Sequence, residues 1–240
     1  MSRLRFTLRL AAMVLALLLA LAGHGLWRLC RRRSPWPRWL LGRIARISGA
    51  RARIVGAPLA RDVVFVANHL SWLDILLIAG ATGSCFVAKA ELRRAPLVGW
   101  LATLNHTLFV ARGDRMGVAA QVEQVRGALR DGWAVTLFPE GTTGDGVALL
   151  PFKAALLAAL DPPPPSARVQ PIRIDYGDAT RALAWVGAEP GQSHAARVLR
   201  RPGTFVATLR FLDAFAPADH PGRKAIAVEA RRRIEAAAIS

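Results

Sequence analysis

Short apolar runs alternate with helical patterns along most of the chain. Six runs rich in branched and aromatic residues predict strands at 63–67, 85–88, 107–111, 134–138, 169–174 and 204–211. Their continuity is typical of strands buried on both faces. Between the third and fourth runs, apolar residues recur at helical spacing at Val118, Val122, Val125 and Leu129. Gly132 follows where a helix C-cap is expected. The pattern predicts an α/β domain with a mostly parallel central sheet flanked by helices.

The C-terminal part of the chain has a less regular pattern. Pro162 to Pro165 cannot continue a helix and predict a rigid exposed connection. A last helix is predicted from about residue 223 to 238, with Pro221 near its start. The segment 177–203 has no clear period, so its structure stays open, although it precedes a predicted strand.

The longest apolar run lies near the N-terminus. Residues 10–22 carry no charge, but Gly23 and Gly25 weaken the run before it reaches the ~20 residues that a membrane-spanning helix needs. A cleaved signal peptide is the alternative, since residues 20–22 resemble a cleavage site. Arginines at 28 and 31–33 oppose the export of the chain after them. We therefore expect a retained membrane anchor.

Residues 36–47 predict a second membrane-associated element. A helix over these residues would have an apolar side among its arginines, as in a helix that lies in the membrane interface. The apolar side would consist of Trp36, Trp39, Leu40, Ile44 and Ile47. Seven arginines between 28 and 46 outnumber the three upstream of the apolar run, which places the remaining chain in the cytoplasm if the run spans. We thus expect an N-terminal membrane anchor with a basic interfacial helix at 1–47, and a catalytic domain at 48–240 on the cytoplasmic face of the inner membrane.

The net charge of +17 is concentrated in the first quarter of the chain. Thirteen of the 33 basic residues lie in residues 1–61, which contain no acid, whereas 20 basic and 16 acidic residues lie after them. Basic residues beside an apolar run attract anionic lipid by ~1 kcal/mol each. Membrane lipid is therefore the expected partner, and nucleic acid is not. Cys30 and Cys85 have neither disulfide nor metal spacing, so no metal site is expected. No pattern indicates an oligomeric state.

Residues 68–74, NHLSWLD, place a histidine and an aspartate after the first predicted strand, where α/β sheets commonly have their sites. A neutral imidazole can take a hydroxyl proton, and a carboxylate on its other nitrogen fixes the tautomer. Five residues of regular helix would turn His69 ~140° away from Asp74, so the chain must bend between them. The alternative is a helix start with Ser71 as its cap.

Two further groups come after other predicted strands. In FPEGTT at 138–143, the acid Glu140 and the backbone amides after it could hold a polar head group, although Pro-Glu-Gly is also an ordinary turn. Arg112 directly follows the predicted strand 107–111. Its guanidinium could bind a phosphate or carboxylate in bidentate fashion, although an isolated arginine there is usually a solvated charge.

The blocks NHLSWLD, LFVAR, FPEGTT and VQPIRI, in this order, resemble the glycerolipid acyltransferase family typified by bacterial 1-acylglycerol-3-phosphate acyltransferase. The resemblance covers roughly residues 60–175, and four ordered blocks are far more specific than any one of them. It implies an enzyme that moves a fatty acyl group from acyl-CoA or acyl-carrier protein to the hydroxyl of a lysolipid. Those carriers are co-substrates, and no further cofactor is expected.

The resemblance also implies roles for individual residues. His69 would be the general base on the acceptor hydroxyl, with Asp74 orienting it, and no acyl-enzyme would form. The residues implied for the acceptor's head group are Arg112, Glu140, Gly141, Thr142 and Lys153. Pro171 belongs to the fourth block.

The third block departs from the family's pattern at one position. The family usually continues Pro-Glu-Gly-Thr with Arg, but Thr143 stands there, which removes a phosphate contact of roughly 1.5–3 kcal/mol. Residues 138–153, with 184–187 and His194, are similar to the branch of lyso-ornithine lipid acyltransferases. 1-Acylglycerol-3-phosphate, which would give phosphatidic acid, is the default acceptor because it is the family's commonest. A lyso-ornithine lipid or another lysolipid is the alternative.

Two other function classes remain as alternatives. A hydrolase with a serine nucleophile normally shows G-x-S-x-G, which the chain lacks, so transfer is favoured over thioester hydrolysis. A non-catalytic membrane-binding module would explain the arginine-rich first quarter but gives no reason for the later blocks.

Overall fold

The sheet and helices that the sequence predicts are present. The computed structural model describes residues 1–30, 33–94, 96–110 and 115–238. Within these residues the helices are α1 Ser2–Trp27, α2 Trp36–Ile47, α3 Trp72–Thr82, α4 Pro96–Leu104, α5 Arg115–Arg130, α6 Thr180–Leu183, α7 Gly191–Arg200 and α8 Arg223–Ala236. The strands are β1 Ala50–Val55, β2 Val63–Ala67, β3 Cys85–Lys89, β4 Leu108–Val110, β5 Val135–Leu137, β6 Arg168–Asp175 and β7 Phe205–Phe211.

The seven strands of the described residues form one sheet in the order β1-β7-β6-β2-β5-β3-β4. Neighbouring strands are parallel except β6 and β7, which are antiparallel. β2 lies at the centre, where Val66 is beside Leu137 of β5 and Pro171 of β6. The α/β class with a mostly parallel sheet is therefore confirmed.

Apolar side chains cover both faces of the sheet, and β2 contributes to both. Val63, Phe65 and Ala67 pack in a cluster with residues of α3. Val64 and Val66 pack in a second cluster with residues of α5 and α8. A strand between two such layers needs an apolar residue at every position, which explains the uninterrupted run in the sequence.

The six predicted strands correspond to β2 through β7, with ends that differ by at most one residue in the described part of the chain. The sequence does not predict β1, because this edge strand pairs with β7 alone in the sheet order and exposes residues 51–54. Arg51 and Arg53 therefore interrupt its apolar pattern. The open segment 177–203 contains α6 and α7, and the predicted last helix ends at Ala236.

The apolar N-terminal run belongs to one continuous helix, α1, of 26 residues. Gly23 does not interrupt it. A side-chain carbon at Gly23 would lie 2.0 Å from the Trp36 ring, so the missing side chain lets α1 and α2 approach closely. Ala16 and Ala20 pack against Leu40 in the same contact. By length and composition alone, α1 could cross a membrane.

The N-terminal half of α1 also contacts the domain. Arg5 donates to the carbonyl of Arg200 at 2.8 Å, and Arg9 donates to carbonyls of residues 198, 199, 201 and 203 at 3.1–3.2 Å. The other side of the helix exposes large apolar residues, namely Leu4, Leu8, Val14, Leu15, Leu18, Leu19 and Leu26. The division into an anchor at 1–47 and a domain at 48–240 stays a prediction, because α1 and α2 both pack on residues that follow position 47.

Candidate active site

Three strands end side by side at the centre of the sheet. β5 and β6 flank β2 in parallel, so the segments after these strands leave the sheet at the same edge. Asn68, which is buried directly after β2, ties two of these ends together. Its side-chain amide donates to the carbonyl of Ile174 at 3.0 Å, and its side-chain oxygen accepts the Ile174 N–H at 2.7 Å. The end of β2 is thereby fixed against the end of β6.

A bend between β2 and α3 brings His69 and Asp74 together. Ser71 has an extended backbone, with φ −162° and ψ 163°, and is the N-cap of α3. Its hydroxyl accepts the Leu73 N–H, while the Asp74 carboxylate accepts the Ser71 N–H in a capping box. The predicted bend is therefore present. Ser71 is also the helix cap that the alternative interpretation proposed, so the two interpretations hold together.

Asp74 is fully buried, and its carboxylate meets His69 directly. Nδ1 of His69 lies 2.9 Å from Oδ2 of Asp74. The same oxygen accepts the N–H of Leu70 at 2.6 Å and of Ser71 at 2.9 Å, while Oδ1 accepts the hydroxyl of Tyr176. An ionised carboxylate only accepts hydrogen bonds, so this contact holds the proton on Nδ1 and leaves the lone pair on Nε2.

The imidazole of His69 is stacked on Phe138, with ring centroids 4.0 Å apart and an angle of 17° between the planes. Nε2 has no hydrogen-bond partner among the described residues, and the side chain is 17% exposed. An imidazole with one nitrogen on a buried carboxylate and the other accessible can take a proton from a hydroxyl group.

Glu140 joins the end of β2 to the loop after β5. It is 3% exposed, and its Oε1 accepts the His69 N–H at 3.1 Å while Oε2 accepts the Leu150 N–H at 3.3 Å. Burial raises the pKa of this carboxyl, and the hydrogen bond from the His69 backbone opposes the rise. Both oxygens already accept backbone N–H groups, so the predicted contact with a head group stays a prediction.

The other predicted residues of this loop are nearer the surface. Gly141 has φ 71°, a conformation that glycine adopts without strain. Thr142 is exposed, and so is Lys153. A side-chain carbon at Gly141 would lie 3.1 Å from Nζ of Lys153, so the ammonium group lies over the loop. The structure thus brings Gly141 and Lys153 together beside the buried Glu140.

Arg112 lies outside the described residues, and its predicted role in binding the acceptor stays a prediction. In the part of the chain that is described, no group of three or more His, Cys, Asp or Glu residues could hold a metal ion.

Thr143 fixes the segment that contains α6 and α7. Its hydroxyl donates to the carbonyl of Trp185, and the N–H of Trp185 donates to the carbonyl of Leu70 at 2.8 Å. His194 is buried, and its Nδ1 accepts from Nε1 of Trp72 at 3.0 Å. The other nitrogen of His194 lies 3.0 Å from a backbone carbonyl. This segment is therefore bound to the loops after both β2 and β5.

The acyltransferase family model matches residues 51–175, just over half of the chain, and this range contains His69, Asp74 and Glu140. A lyso-ornithine lipid O-acyltransferase of Rhodobacter capsulatus is 33% identical over 93% of this chain and 86% of its own length. A 1-acyl-sn-glycerol-3-phosphate acyltransferase of Neisseria gonorrhoeae is 37% identical over 49% of this chain and 46% of its own length. The chain belongs to the acyltransferase family.

The fold of this acyltransferase also matches a solved structure. PlsC from Thermotoga maritima, a 1-acyl-sn-glycerophosphate acyltransferase, superposes with a TM-score of 0.65 over 99% of this chain and 97% of that one. At 20% identity the likeness concerns the fold alone. The resemblance drawn from the four sequence blocks is confirmed by the family match.

The sequence does not single out Tyr176, although the acyltransferase places it against Asp74. It is the only tyrosine in the chain and directly follows β6. A hydroxyl-bearing residue at the end of a buried strand is the signal that could have found it. Tyr176 can reach Asp74 because β6 is next to β2. The order of strands in a sheet cannot be predicted from the hydrophobic period of a sequence.

We expect Glu140→Ala to lower the free energy of unfolding of the acyltransferase by about 1–3 kcal/mol, because two backbone N–H groups lose their acceptor. Glu140→Gln keeps one acceptor oxygen, but its NH2 group would face the other backbone N–H, so this variant should also lose stability. Equilibrium unfolding in urea measures both. Glu123→Ala is the control, since Glu123 is exposed and pairs with Arg130 at the surface. A loss for Glu140→Ala as small as that for Glu123→Ala would contradict the linking role.

Proposed function

We propose that this acyltransferase moves a fatty acyl group from the thioester of acyl-CoA or acyl-carrier protein to the hydroxyl of a lysolipid. Nε2 of His69 takes the hydroxyl proton while the hydroxyl oxygen attacks the thioester carbon. The tetrahedral intermediate collapses, the carbon–sulfur bond breaks, and the sulfur leaves as a thiol with the proton from the imidazolium. Asp74 stabilises that imidazolium between the two steps.

The observation that carries this proposal is the contact of 2.9 Å between Nδ1 of His69 and the buried Asp74, in a histidine whose side chain is 17% exposed. A covalent acyl-enzyme would need an activated nucleophile. Cys85 is buried in β3, and burial raises the pKa of its thiol to about 12, so it does not supply a thiolate at neutral pH. Direct transfer between the two substrates is the simpler chemistry.

For the acceptor, the observations favour a lyso-ornithine lipid. The relative from Rhodobacter capsulatus, which bears that name, matches nearly the whole chain. Thr143 stands where the family usually has an arginine, and its hydroxyl binds the backbone of Trp185, so this position offers no cation to a phosphate monoester. An acceptor without such a phosphate fits this replacement.

1-Acylglycerol-3-phosphate, the default acceptor from the sequence, is the second candidate. The relative from Neisseria gonorrhoeae is named for that substrate, although it matches only half of the chain. The ammonium group of Lys153, which lies over Gly141, is a cation that a phosphate could bind.

We assign the head group of the acceptor to the loop after β5. Thr142 and Lys153 are exposed there and can contact it directly. Gly141 provides the turn before Thr142, Lys153 lies over that turn, and the buried Glu140 holds it against the backbone of His69. Arg112, which comes after β4 in the sequence, is the proposed further cation of the site.

The exposed apolar side of α1 supports contact with a membrane, and its position at the cytoplasmic face of the inner membrane stays a prediction from the sequence. Near one end of the helix, Arg5 and Arg9 bind carbonyls of residues 198–203, and near the other end Gly23 packs on Trp36. A helix of 26 residues is ~39 Å long, and in a spanning orientation its ends would be separated by the ~30 Å hydrocarbon core. Because α1 contacts residues 198–203 near one end and α2 near the other, a helix that lies in one leaflet is favoured.

Loss of the general base should stop acyl transfer. We expect His69→Ala to lower kcat about 100- to 10,000-fold while the protein still sediments with membranes. Steady-state rates of thiol release from acyl-CoA, with and without lysolipid, measure the effect. His220→Ala is the control, because His220 lies in the turn before α8 and packs on Phe215. Wild-type turnover in the His69→Ala protein would refute the proposed mechanism.

The two acceptors can be compared with one acyl donor in mixed micelles. We expect kcat/KM for a lyso-ornithine lipid to exceed that for 1-acylglycerol-3-phosphate by about 10- to 150-fold, the equivalent of one charge-assisted phosphate contact. Chromatography of the acylated products identifies the acceptor used. A preference for 1-acylglycerol-3-phosphate would establish the second candidate, and release of free fatty acid alone would establish a hydrolase.

Charges on the exposed side of α1 should weaken membrane association. Leu15 and Leu19 lie one turn apart and are 59% and 52% exposed. We expect Leu15→Glu combined with Leu19→Glu to lower partitioning into lipid vesicles at least about tenfold, since two large apolar side chains are lost to the bilayer. Vesicle co-sedimentation measures it. Val228→Glu, a change at an exposed apolar residue of α8, should leave partitioning unchanged; equal losses would place lipid contact elsewhere.

A further inference from the structure

We propose that Tyr176 is a positioning residue for acyl transfer, which holds the carboxylate of Asp74 in the orientation that His69 requires. The inference rests on the proposed function, because it concerns the same pair of residues. Tyr176 is 2% exposed and directly follows β6, and its hydroxyl donates to Oδ1 of Asp74. The imidazole of His69 binds the other oxygen of the same carboxylate.

The hydrogen bonds around Asp74 divide unevenly between its two oxygens. Oδ2 accepts from His69 and from the backbone of Leu70 and Ser71, whereas Oδ1 accepts from Tyr176 among the described residues. Without the phenol, Oδ1 would be a buried carboxylate oxygen with no donor in this set, and such an oxygen is costly. Rotation of the carboxylate or entry of a water molecule would give this oxygen a donor. Either change would alter the contact between the carboxylate and the imidazole.

The tyrosine is itself rigidly placed. Its ring packs edge-on against Phe205 of β7, with centroids 5.6 Å apart and a 70° angle between the rings. Two residues earlier, Ile174 is bound by Asn68 through two hydrogen bonds, which fix the end of β6 against the end of β2. The hydroxyl therefore reaches Asp74 from a neighbouring strand whose position is set by the sheet.

The protonation state of the phenol suits this role. Burial raises the pKa of Tyr176 well above its ordinary value, and the charge on Asp74 adds to the rise. The hydroxyl thus remains a donor throughout the pH range in which an imidazole titrates. A donor on Oδ1 also draws negative charge toward that oxygen and away from Oδ2, which faces the imidazole.

Tyr176→Phe removes the hydroxyl and keeps the ring, so it separates positioning from packing. We expect kcat to fall about 10- to 100-fold, with the KM of both substrates changed less than about threefold. The acidic limb of kcat/KM, which reports protonation of the His69–Asp74 pair, should move to higher pH. Glu140, the other buried acid next to this pair, is unchanged in the variant.

Thr136→Val is the matched control. It also removes one buried hydroxyl without changing the shape of the side chain, since Thr136 is fully buried and its hydroxyl lies 2.6 Å from that of Ser84. Thermal unfolding should show a loss of stability in both variants, with the larger loss in Tyr176→Phe. The shift in the pH profile should appear in Tyr176→Phe alone.

A second test changes the acidity of the Tyr176 hydroxyl without removing it. Tyr176 is the only tyrosine in the chain, so growth on 3-fluorotyrosine changes this phenol and no other. The fluorinated phenol is the more acidic donor, and we expect the acidic limb to move to lower pH, opposite to Tyr176→Phe. This measurement keeps the proposal falsifiable if Tyr176→Phe does not fold.

The outcomes distinguish this inference from the proposed function. If Tyr176→Phe and the fluorinated enzyme both keep the wild-type kcat and pH profile while His69→Ala is inactive, Tyr176 is structural and the positioning role is wrong. If His69→Ala is active, the general-base mechanism fails, and with it the basis for any role of Tyr176.

Discussion

The buried carboxylate of Asp74 is the constraint on which the site depends. A fully buried charge is tolerated in a protein when donors surround it, and here they come from an imidazole, two backbone amides and a phenol. The amide of Ser71 makes the same carboxylate part of the cap of α3. The start of the helix and the orientation of His69 therefore both depend on the contacts of one carboxylate, which Tyr176 reaches from the end of β6.

The strand order explains why these donors meet. β2 lies between β5 and β6, so the loops after all three strands converge without long connections. Hydrogen bonds then fix the loops to each other. Asn68 joins the ends of β2 and β6, and Glu140 joins the backbone of His69 to that of Leu150. An imidazole held by neighbours on both sides would need little reorganisation in the proposed role of general base, which is the advantage of a preorganised site.

The sequence predicts those features of the fold and of the site that depend on residues close together along the chain. The run 63–67 predicts a strand buried on both faces, and the spacing of His69 and Asp74 predicts a bend, because each follows from local geometry. β1 has no such signal, since its arginines face solvent at the sheet edge. The contact of Tyr176 with Asp74 spans 102 residues and depends on which strands are neighbours, so no local pattern contains it.

The site contains buried residues that are bound to other protein groups and exposed residues on the loop beside them. Asp74 and Glu140 are buried and already bound to protein groups, whereas Thr142 and Lys153 are exposed on the loop beside them. A substitution among the buried residues would leave donors or acceptors unpaired and cost stability as well as rate. A substitution on the exposed loop would change the groups offered to the proposed acceptor while the imidazole keeps its place. Thr143 is bound within the protein as well, because its hydroxyl donates to the carbonyl of Trp185.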